Sequence, residues 1–199
     1  MQVGPAKRMP LTLLRHGESN WNALHLVQGQ NDEARLSARG VEQARVVAGE
    51  WDRHSFDAIV SSNLVRAFET SQIIADALGI EVTTNALLRE RSFGDFEGSP
   101  LSELPSSLSG FADGHVIDDG ARPPGGESLR DLWRRGADLV EQLRSERPNE
   151  RLLLVTHGGT IRAIRAYCAS KTMRDLTWDR VRNCSVWMVE APDVPPDHA

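Results

Sequence analysis

Leu11-Thr12-Leu13-Leu14-Arg15-His16-Gly17-Glu18 is the stretch from which the fold can be inferred. An apolar run that ends abruptly in an arginine and a histidine is typical of a buried strand that enters a polar loop. The same pattern recurs near the other end of the chain, in Leu152-Leu153-Leu154-Val155-Thr156-His157-Gly158-Gly159. Ligands of an open α/β sheet bind at the carboxyl ends of its strands. We therefore expect His16 and His157 to face one another across one pocket.

Composition bounds the class of protein. The chain has 199 residues, of which 40% are hydrophobic and 26% charged, so we expect one soluble domain over residues 1–199 with flexible ends at 1–9 and 192–199. The net charge of −5 argues against a nucleic-acid-binding surface but leaves room for a small cationic pocket. The apolar run after Arg8 is too short for a signal peptide or a membrane span. Cys168 and Cys184 have no Cys-x-x-Cys spacing and are expected to be reduced residues of a cytoplasmic protein.

Strand-like and helix-like segments alternate along the chain. Strands are predicted at residues 11–14, 56–60, 80–84, 152–155 and 184–189, and helices begin near Ser37, Leu64, Glu127 and Thr160. Gly79 is expected to end the second helix. Residues 98–126 are rich in Ser, Pro, Gly and Asp and are predicted to form a loop or lid. The pattern predicts a three-layer α/β/α fold with a mostly parallel central sheet and one short lid insertion.

The side chains expected at the strand ends could form a cage for a phosphate group. Arg15 beside His16 is electrostatically awkward unless an anion lies between them, and it lowers the imidazole pKa. His157 precedes a helix whose N-terminus favours anions, and Arg66 opens the helix that follows Ser61-Ser62. Two arginines, two histidines and a helix terminus suit a phosphoryl group. A structural role is expected for the other histidines, His25, His54, His115 and His198.

An ordered set of motifs resembles the histidine phosphatase superfamily, in its phosphoglycerate mutase-like branch. The set begins with Arg15-His16-Gly17-Glu18-Ser19 and Asn22. It continues through Gln28-Gly29, Leu36-Ser37-Ala38-Arg39-Gly40, Ser61-Ser62-Asn63-Leu64-Val65-Arg66-Ala67, Leu88-Arg89-Glu90, Phe93-Gly94-Asp95-Phe96-Glu97-Gly98, Gly125-Gly126-Glu127-Ser128 and Thr156-His157-Gly158-Gly159. An Arg-His-Gly tripeptide alone would be weak evidence, but the ordered set covers nearly the whole chain.

The resemblance implies a role for each matching position. His16 matches the nucleophile that becomes phosphohistidine, and Arg15, Arg66 and His157 match residues that hold the phosphoryl oxygens. Glu90 matches the general acid and base, although an ion pair with Arg89 or Arg91 is the structural alternative. Further contacts with phosphate or substrate are implied for Asn22, Gln28, Gly29 and Gly158. Glu97 and Glu127 are assigned to scaffolding, and Phe93 and Arg162 could help to read the substrate.

The implied activity is hydrolysis of a small phosphorylated metabolite, without a metal or another cofactor. No cluster of carboxylates with metal-ligand spacing is apparent, and a zinc site at His16 and His157 would lack further ligands. Between Arg91 and Arg122 the lid contains no lysine, tyrosine or further arginine, and Asp113, Asp118 and Asp119 make it acidic. These features favour a phosphatase over a bisphosphoglycerate-dependent phosphoglycerate mutase.

Two further possibilities stay open at this stage. The first is a module that binds phosphoproteins or protein phosphohistidine, against which the full catalytic set argues. The second concerns assembly, because the last strand, with Val186, Trp187 and Met188, could form a sheet edge used in a homodimer. The sequence does not identify the physiological substrate.

Overall fold

A five-stranded sheet forms the centre of the molecule. In the computed structural model, residues 9–109, 111–112, 115–175 and 180–192 are described. They form strands β1 (Pro10–Arg15), β2 (Ala58–Ser61), β3 (Val82–Thr84), β4 (Phe111–Ala112), β5 (His115–Val116), β6 (Leu152–Thr156) and β7 (Val186–Glu190). The central sheet has the order β3-β2-β6-β1-β7, in which only β7 runs antiparallel to its neighbour. β4 and β5 pair as a separate hairpin within the lid.

Helices cover both faces of this sheet. They are α1 (Asn20–Ala23), α2 (Ala38–Ala48), α3 (Val65–Leu78), α4 (Ser106–Ser109), α5 (Leu129–Glu146) and α6 (Gly158–Cys168). Alternate residues of a strand point to opposite faces, so Leu11 and Leu13 pack towards α5 and α6 while Leu14 packs towards α2 and α3. β6 is buried along its whole length, as expected for a central parallel strand. The three-layer prediction is confirmed.

The helix termini follow local sequence signals. The Ser37 side chain accepts a hydrogen bond from the Gly40 amide at the start of α2, and Gly79 ends α3 in the left-handed conformation with φ of 70°. Glu127 was expected to open the long helix, but Ser128 caps α5 instead, in a reciprocal arrangement with Asp131. A serine hydroxyl can accept a hydrogen bond from a free amide of the first helical turn. Glu127 instead forms an ion pair with Arg135.

The structure also corrects the predicted limits of the N-terminal tail and of the last strand. Met9, assigned to a flexible tail, is 3% exposed in the core, and its carbonyl accepts a hydrogen bond from the Ala191 amide at 2.9 Å. Residues 1–8 and 193–199 lie outside the described residues. The last strand begins at Val186, not Cys184, because Cys184 has a positive φ of 53°, which is incompatible with a regular strand.

The segment predicted as a lid contains short elements and is attached at several points. α4, the hairpin and a 3₁₀ turn at Leu101–Glu103 fall within it. Its first residues pair with the loop after α1, where the Leu101 amide donates to the His25 carbonyl and the Val27 amide donates to the Ser99 carbonyl. Asp119 is 7% exposed and bonds to Arg130 and Arg174. Its charge therefore anchors the lid, while the predicted acidic Asp113 lies outside the described residues.

Candidate active site

The carboxyl ends of β1, β2 and β6 meet at one edge of the sheet. β6 lies between the other two strands, so the two histidine stretches are neighbours. The His16 amide donates to the Thr156 carbonyl at 2.9 Å, and the Ser62 amide donates to the Val155 carbonyl at 2.8 Å. The imidazole centroids of His16 and His157 are 5.1 Å apart, with the planes tilted by 58°. The expected juxtaposition of the two histidines is observed.

The environment of His16 defines which ring nitrogen is free. Its Nδ1 lies 2.7 Å from the Gly17 carbonyl oxygen, and since a carbonyl can only accept, Nδ1 must carry the hydrogen. Nε2 therefore keeps its lone pair. Burial lowers the pKa of His16 well below 6.5, and the charges of Arg66 and Arg15 lower it further. The ring is neutral at pH 7, and Nε2 can act as a nucleophile.

The Ser62 hydroxyl orients the His157 imidazole. Its Nε2 lies 2.9 Å from Ser62 Oγ, and the same hydroxyl accepts the Leu64 amide at 3.2 Å. A hydroxyl that accepts from Leu64 can donate its own hydrogen to Nε2, which leaves the imidazole hydrogen on Nδ1. Burial, followed by the charge of Arg66, lowers the pKa of His157 well below 6.5. The Nδ1 atom is buried and has no hydrogen-bond partner among the described residues.

Arg15 and Arg66 each present one unpaired donor beside the histidines. Arg15 Nη1 donates to the Val181 carbonyl at 2.6 Å, and Arg66 donates to the carbonyls of Asn31 and Gly29 at 3.0 and 2.7 Å. In both side chains Nε is buried and unpaired with any described residue. Burial lowers the pKa of Arg66 to about 10, still far above neutrality. Since an unsatisfied buried donor costs about 1–3 kcal/mol, these groups together fit an anion.

The carboxylate of Glu90 lies near the arginines of the pocket. Oε1 accepts the Arg91 amide at 2.9 Å, and Oε2 accepts the Gly159 amide at 3.0 Å. Burial lowers the pKa values of Arg15 and Arg66, and the negative charge of Glu90 raises them by a smaller amount. The carboxylate therefore lies near both guanidinium groups. Each carboxylate oxygen keeps a second lone pair that can carry a proton.

The alternative ion pair of Glu90 is not the arrangement observed. Arg89 Nε donates to Asn63 Oδ1 at 2.8 Å. The Arg91 guanidinium turns towards the lid and donates to backbone carbonyls of Leu108, Ala121 and Glu127. Neither guanidinium is therefore the group that orients the Glu90 carboxylate, which backbone amides hold.

Asn22, Gln28 and Gly29 support the wall of the pocket. Asn22 Oδ1 accepts the Ser19 amide and the Asn183 amide group, each at 3.1 Å, and Asn22 lines the cavity beside Arg15. Gln28 Oε1 accepts the Ser19 hydroxyl at 2.8 Å. Gly29 has a φ of +49°, a conformation that glycine adopts without strain, and its carbonyl holds Arg66. The contacts seen here are with protein groups, so direct substrate contacts of these residues stay predictions.

The two glycines that follow His157, Gly158 and Gly159, have different surroundings. Gly158 opens α6, and a Cβ atom there would lie 3.8 Å from Arg15 Nε. Gly159, for which the sequence predicts no separate role, lies against Glu90, because a Cβ atom there would come within 2.3 Å of Glu90 Oε1. The tandem Gly-Gly after His157 was a usable signal for this close approach. Arg162 Nη1 would lie 3.5 Å from a Cβ atom on Gly158, so Arg162 faces the Arg15 side of the pocket.

Several residues outside the predicted site support it. Ser62 fixes His157, Thr70 Oγ1 accepts the Gly17 amide at 3.1 Å, and Asn183 donates to the His16 carbonyl at 3.1 Å. Glu97 Oε1 accepts the amides of Gln30 and Phe93, in line with scaffolding. The local sequence around these polar residues has no periodicity that would predict their supporting roles. For Asn183 the sequence indicates only that it precedes the last strand.

A cavity of about 540 Å³ opens beside Arg15. Its described lining comes from four segments of the chain and consists of Arg15, Glu18, Trp21, Asn22, Ala23, His25, Leu26, Arg39, Leu101, Arg180 and Asn183. His25, expected to be structural, lies in this wall with a φ of 55°, a conformation uncommon outside glycine. Phe93 stacks under Arg91, with the guanidinium carbon 5.0 Å from the ring centroid, and is not part of the described lining.

Metal-ligand clusters and membrane-spanning helices are both absent from the described part of the chain. No three His, Cys, Asp or Glu side chains converge in a way that could hold a metal ion. Within the same part of the chain, every helix is too short or too polar to cross a membrane. Both cysteines are free thiols.

The fold is that of an α/β protein with a buried cationic pocket at its strand ends. The chain belongs to the histidine phosphatase superfamily (branch 1), whose family model matches residues 11–194. It is 33% identical over 184 residues to the probable phosphoglycerate mutase GpmB of Yersinia pestis, covering 92% of this chain and 85% of that protein.

Solved structures add phosphatases to the relatives. The native mycobacterial glucosyl-3-phosphoglycerate phosphatase aligns with a TM-score of 0.77 at 28% identity, covering 92% of this chain and 90% of that chain. A mutant of phosphoserine phosphatase from Entamoeba histolytica, in complex with phosphoserine, aligns with a TM-score of 0.77 at 29% identity, covering 90% of this chain and 89% of that chain. The family thus includes relatives named as phosphatases and as mutases.

Proposed function

We propose that the chain is a metal-independent phosphatase that hydrolyses a small phosphomonoester through a phosphohistidine on His16. The observation that carries this proposal is the tautomer of His16, whose Nδ1 is tied to the Gly17 carbonyl while Nε2 keeps its lone pair. Beside it lie three buried nitrogen atoms without a described partner, Nε of Arg15 and of Arg66 and Nδ1 of His157. A neutral nucleophile among donors of positive charge suits attack on a phosphate dianion.

The reaction proceeds in two displacements. The lone pair of His16 Nε2 attacks phosphorus as the bond from phosphorus to the ester oxygen breaks, and the leaving oxygen takes a proton from Glu90. Arg15, Arg66 and His157 Nδ1 donate to the phosphoryl oxygens and stabilise their charge. Water then attacks phosphorus, the P–N bond breaks, and Glu90 takes the proton of that water. Both steps balance without an oxidant, a reductant or a metal.

The side chains of the lid favour hydrolysis over a mutase reaction, in which the phosphoryl group is transferred to another position of the same substrate. A mutase must hold a carboxylate while its intermediate reorients, and it must keep water from the phosphohistidine. The two arginines that bound this lid are both engaged elsewhere, Arg91 with three backbone carbonyls and Arg122 with Asp131 at 2.6 Å. Similarity to a probable phosphoglycerate mutase keeps that activity as the second candidate.

Product analysis tests the proposal. Phosphomonoesters including 3-phosphoglycerate are incubated with and without 2,3-bisphosphoglycerate, and inorganic phosphate and isomerised product are followed together. We expect steady phosphate release that needs no bisphosphate, insensitivity to EDTA, and loss of turnover in His16→Ala. Isomerisation that depends on bisphosphate, with little phosphate released, would support the mutase. If neither phosphate nor isomerised product forms, the result would favour a module that binds phosphoproteins.

A cytoplasmic location and a homodimer belong to the same proposal. The free thiols of Cys168 and Cys184 support a reducing compartment. β7 ends the central sheet, and Met188 on it is 78% exposed, which leaves an apolar strand edge available to a second copy.

A further inference from the structure

The wall of the cavity beside Arg15 carries more positive charge than a single phosphate group requires. Arg15, Arg39 and Arg180 line it together, in a chain whose net charge is −5. Among the described lining residues the carboxylate is that of Glu18. Like charges gathered without enough counter-charge destabilise the folded state unless an anion binds between them.

The three guanidinium groups differ in what they already bind. Arg39 lies 3.5 Å from Glu18 Oε2, so its charge is offset within the wall. Arg15 is directed to the phosphoryl site by its unpaired Nε. Arg180 has no ion pair with any described residue, and its charge lowers the pKa of Arg15, after the larger effect of burial. It therefore lies close enough to Arg15 to repel it.

We propose that Arg180 binds a second anionic group on the alcohol portion of the substrate, so that the preferred phosphomonoester carries a carboxylate or a second phosphoryl group. This inference rests on the proposed phosphatase function. The shared lining residues Arg15 and Asn22 join the cavity to the phosphoryl site, and its volume of about 540 Å³ accommodates a leaving group larger than a simple alcohol. A guanidinium binds carboxylate and phosphate oxygens with similar geometry.

The geometry also distinguishes this subsite from the lid. Leu101 is the described lid residue in the lining, and it is apolar, while Trp21 adds an indole face. The charges come instead from the end of β1 and the loop after it, the start of α2 and the segment before β7. A substrate would thus place its phosphate at the strand ends, its carbon skeleton against Trp21 and Leu101, and its second anion at Arg180.

The test compares two esters that differ only in the second charge. 3-Phosphoglycerate carries a carboxylate where glycerol 3-phosphate carries a neutral hydroxymethyl group. The measured quantity is the ratio of their kcat/KM values for phosphate release, which cancels effects on the shared phosphoryl chemistry. Fructose 1,6-bisphosphate against fructose 6-phosphate gives the corresponding ratio for a second phosphoryl group, so the two pairs distinguish the two kinds of anion.

The wild-type protein should prefer the more highly charged ester of at least one pair, and Arg180→Gln should lower that ratio about tenfold, as for a hydrogen bond between charged groups. Arg180→Glu should lower it further. The matched control is Arg45→Gln, which removes an exposed guanidinium paired only weakly with Glu42 at 3.8 Å and should leave the ratio unchanged. Raising the ionic strength should reduce the wild-type preference.

Other outcomes contradict the inference in recognisable ways. Wild-type protein that hydrolyses glycerol 3-phosphate but prefers neither charged ester would overturn the subsite and leave the phosphatase intact. An unchanged ratio in a folded Arg180→Gln protein, checked by circular dichroism, would also overturn it. Absence of phosphate release from every ester would overturn the proposed function, and the subsite with it.

Discussion

Replacing Gly159 with alanine should displace the general acid while leaving its chemistry intact. A Cβ atom at this position would come within 2.3 Å of Glu90 Oε1 and 3.2 Å of Leu132 Cδ2. The carboxylate is the end of a flexible side chain, so it can move away by about 1 Å to reach normal contact distance. That movement weakens the hydrogen bond from the Gly159 amide and takes the proton donor out of line with the leaving oxygen.

The expected size of the effect follows from the role of the acid. General acid catalysis contributes about 10²–10⁴-fold, and an error of about 1 Å in position can cost about 10²-fold. For glycerol 3-phosphate, whose leaving alkoxide needs a proton, Gly159→Ala should lower kcat/KM about 10²-fold. For p-nitrophenyl phosphate, whose leaving group is already stable, the loss should stay below about threefold on the same reasoning.

Steady-state kinetics with these two esters gives the answer, and Glu90→Gln supplies the comparison. If Gly159 acts through Glu90, the double variant should be no slower than Glu90→Gln alone, since residues that act as one unit are not additive. Equal losses on both esters would refute the reasoning, because they would place the damage at the phosphoryl site. Additive losses in the double variant would separate Gly159 from Glu90.

Two further predictions concern the buried histidines. Ser62→Ala removes the donor to His157 Nε2 and should lower kcat/KM about tenfold on both esters alike, as measured by the same kinetics; a loss confined to glycerol 3-phosphate would contradict this role. The free energy of unfolding should fall as the pH drops below 6.5, because His16 and His157 have lowered pKa values when folded and take up protons only when unfolded. Each histidine contributes a slope of about 1.4 kcal/mol per pH unit to the free energy of unfolding. Urea denaturation at several pH values should therefore give a smaller slope for His16→Gln. A free energy of unfolding that does not change from pH 7.5 to 5.5 would exclude the effect.

The strand ends could be predicted because the sequence signals them locally. The apolar runs at β1 and β6 stop at Arg15 and at His157, and each histidine is followed by glycine. Parallel strands place such ends on one edge of the sheet, which predicts the pairing of the histidines without knowledge of strand order. The insertion of β6 between β1 and β2 depends on long-range pairing, which the spacing of the motifs does not encode.

The parts that escaped prediction depend on contacts between distant segments. The Gly159 amide and Glu90 are 69 positions apart, and nothing near Glu90 indicates which donors fix it. Arg180 follows a stretch without clear periodicity, and its place in the cavity is set by the return of the chain to β7. The start of β7 was misplaced because Cys184 adopts a left-handed conformation that a thiol side chain does not signal.

The charge of the lid bears on the choice between hydrolysis and isomerisation. Asp119 is one of the residues predicted to make the lid acidic, but Arg130 and Arg174 bind it, so it attaches the lid to its surroundings. Arg91 and Arg122 are likewise engaged with protein groups. If Arg180 holds the second anion, the attractive charge comes from the segment before β7 and not from the lid. Substrate binding then does not draw a cationic lid over the phosphohistidine, and water keeps its access to phosphorus. A charge distribution of this kind favours release of phosphate over its return to the same molecule.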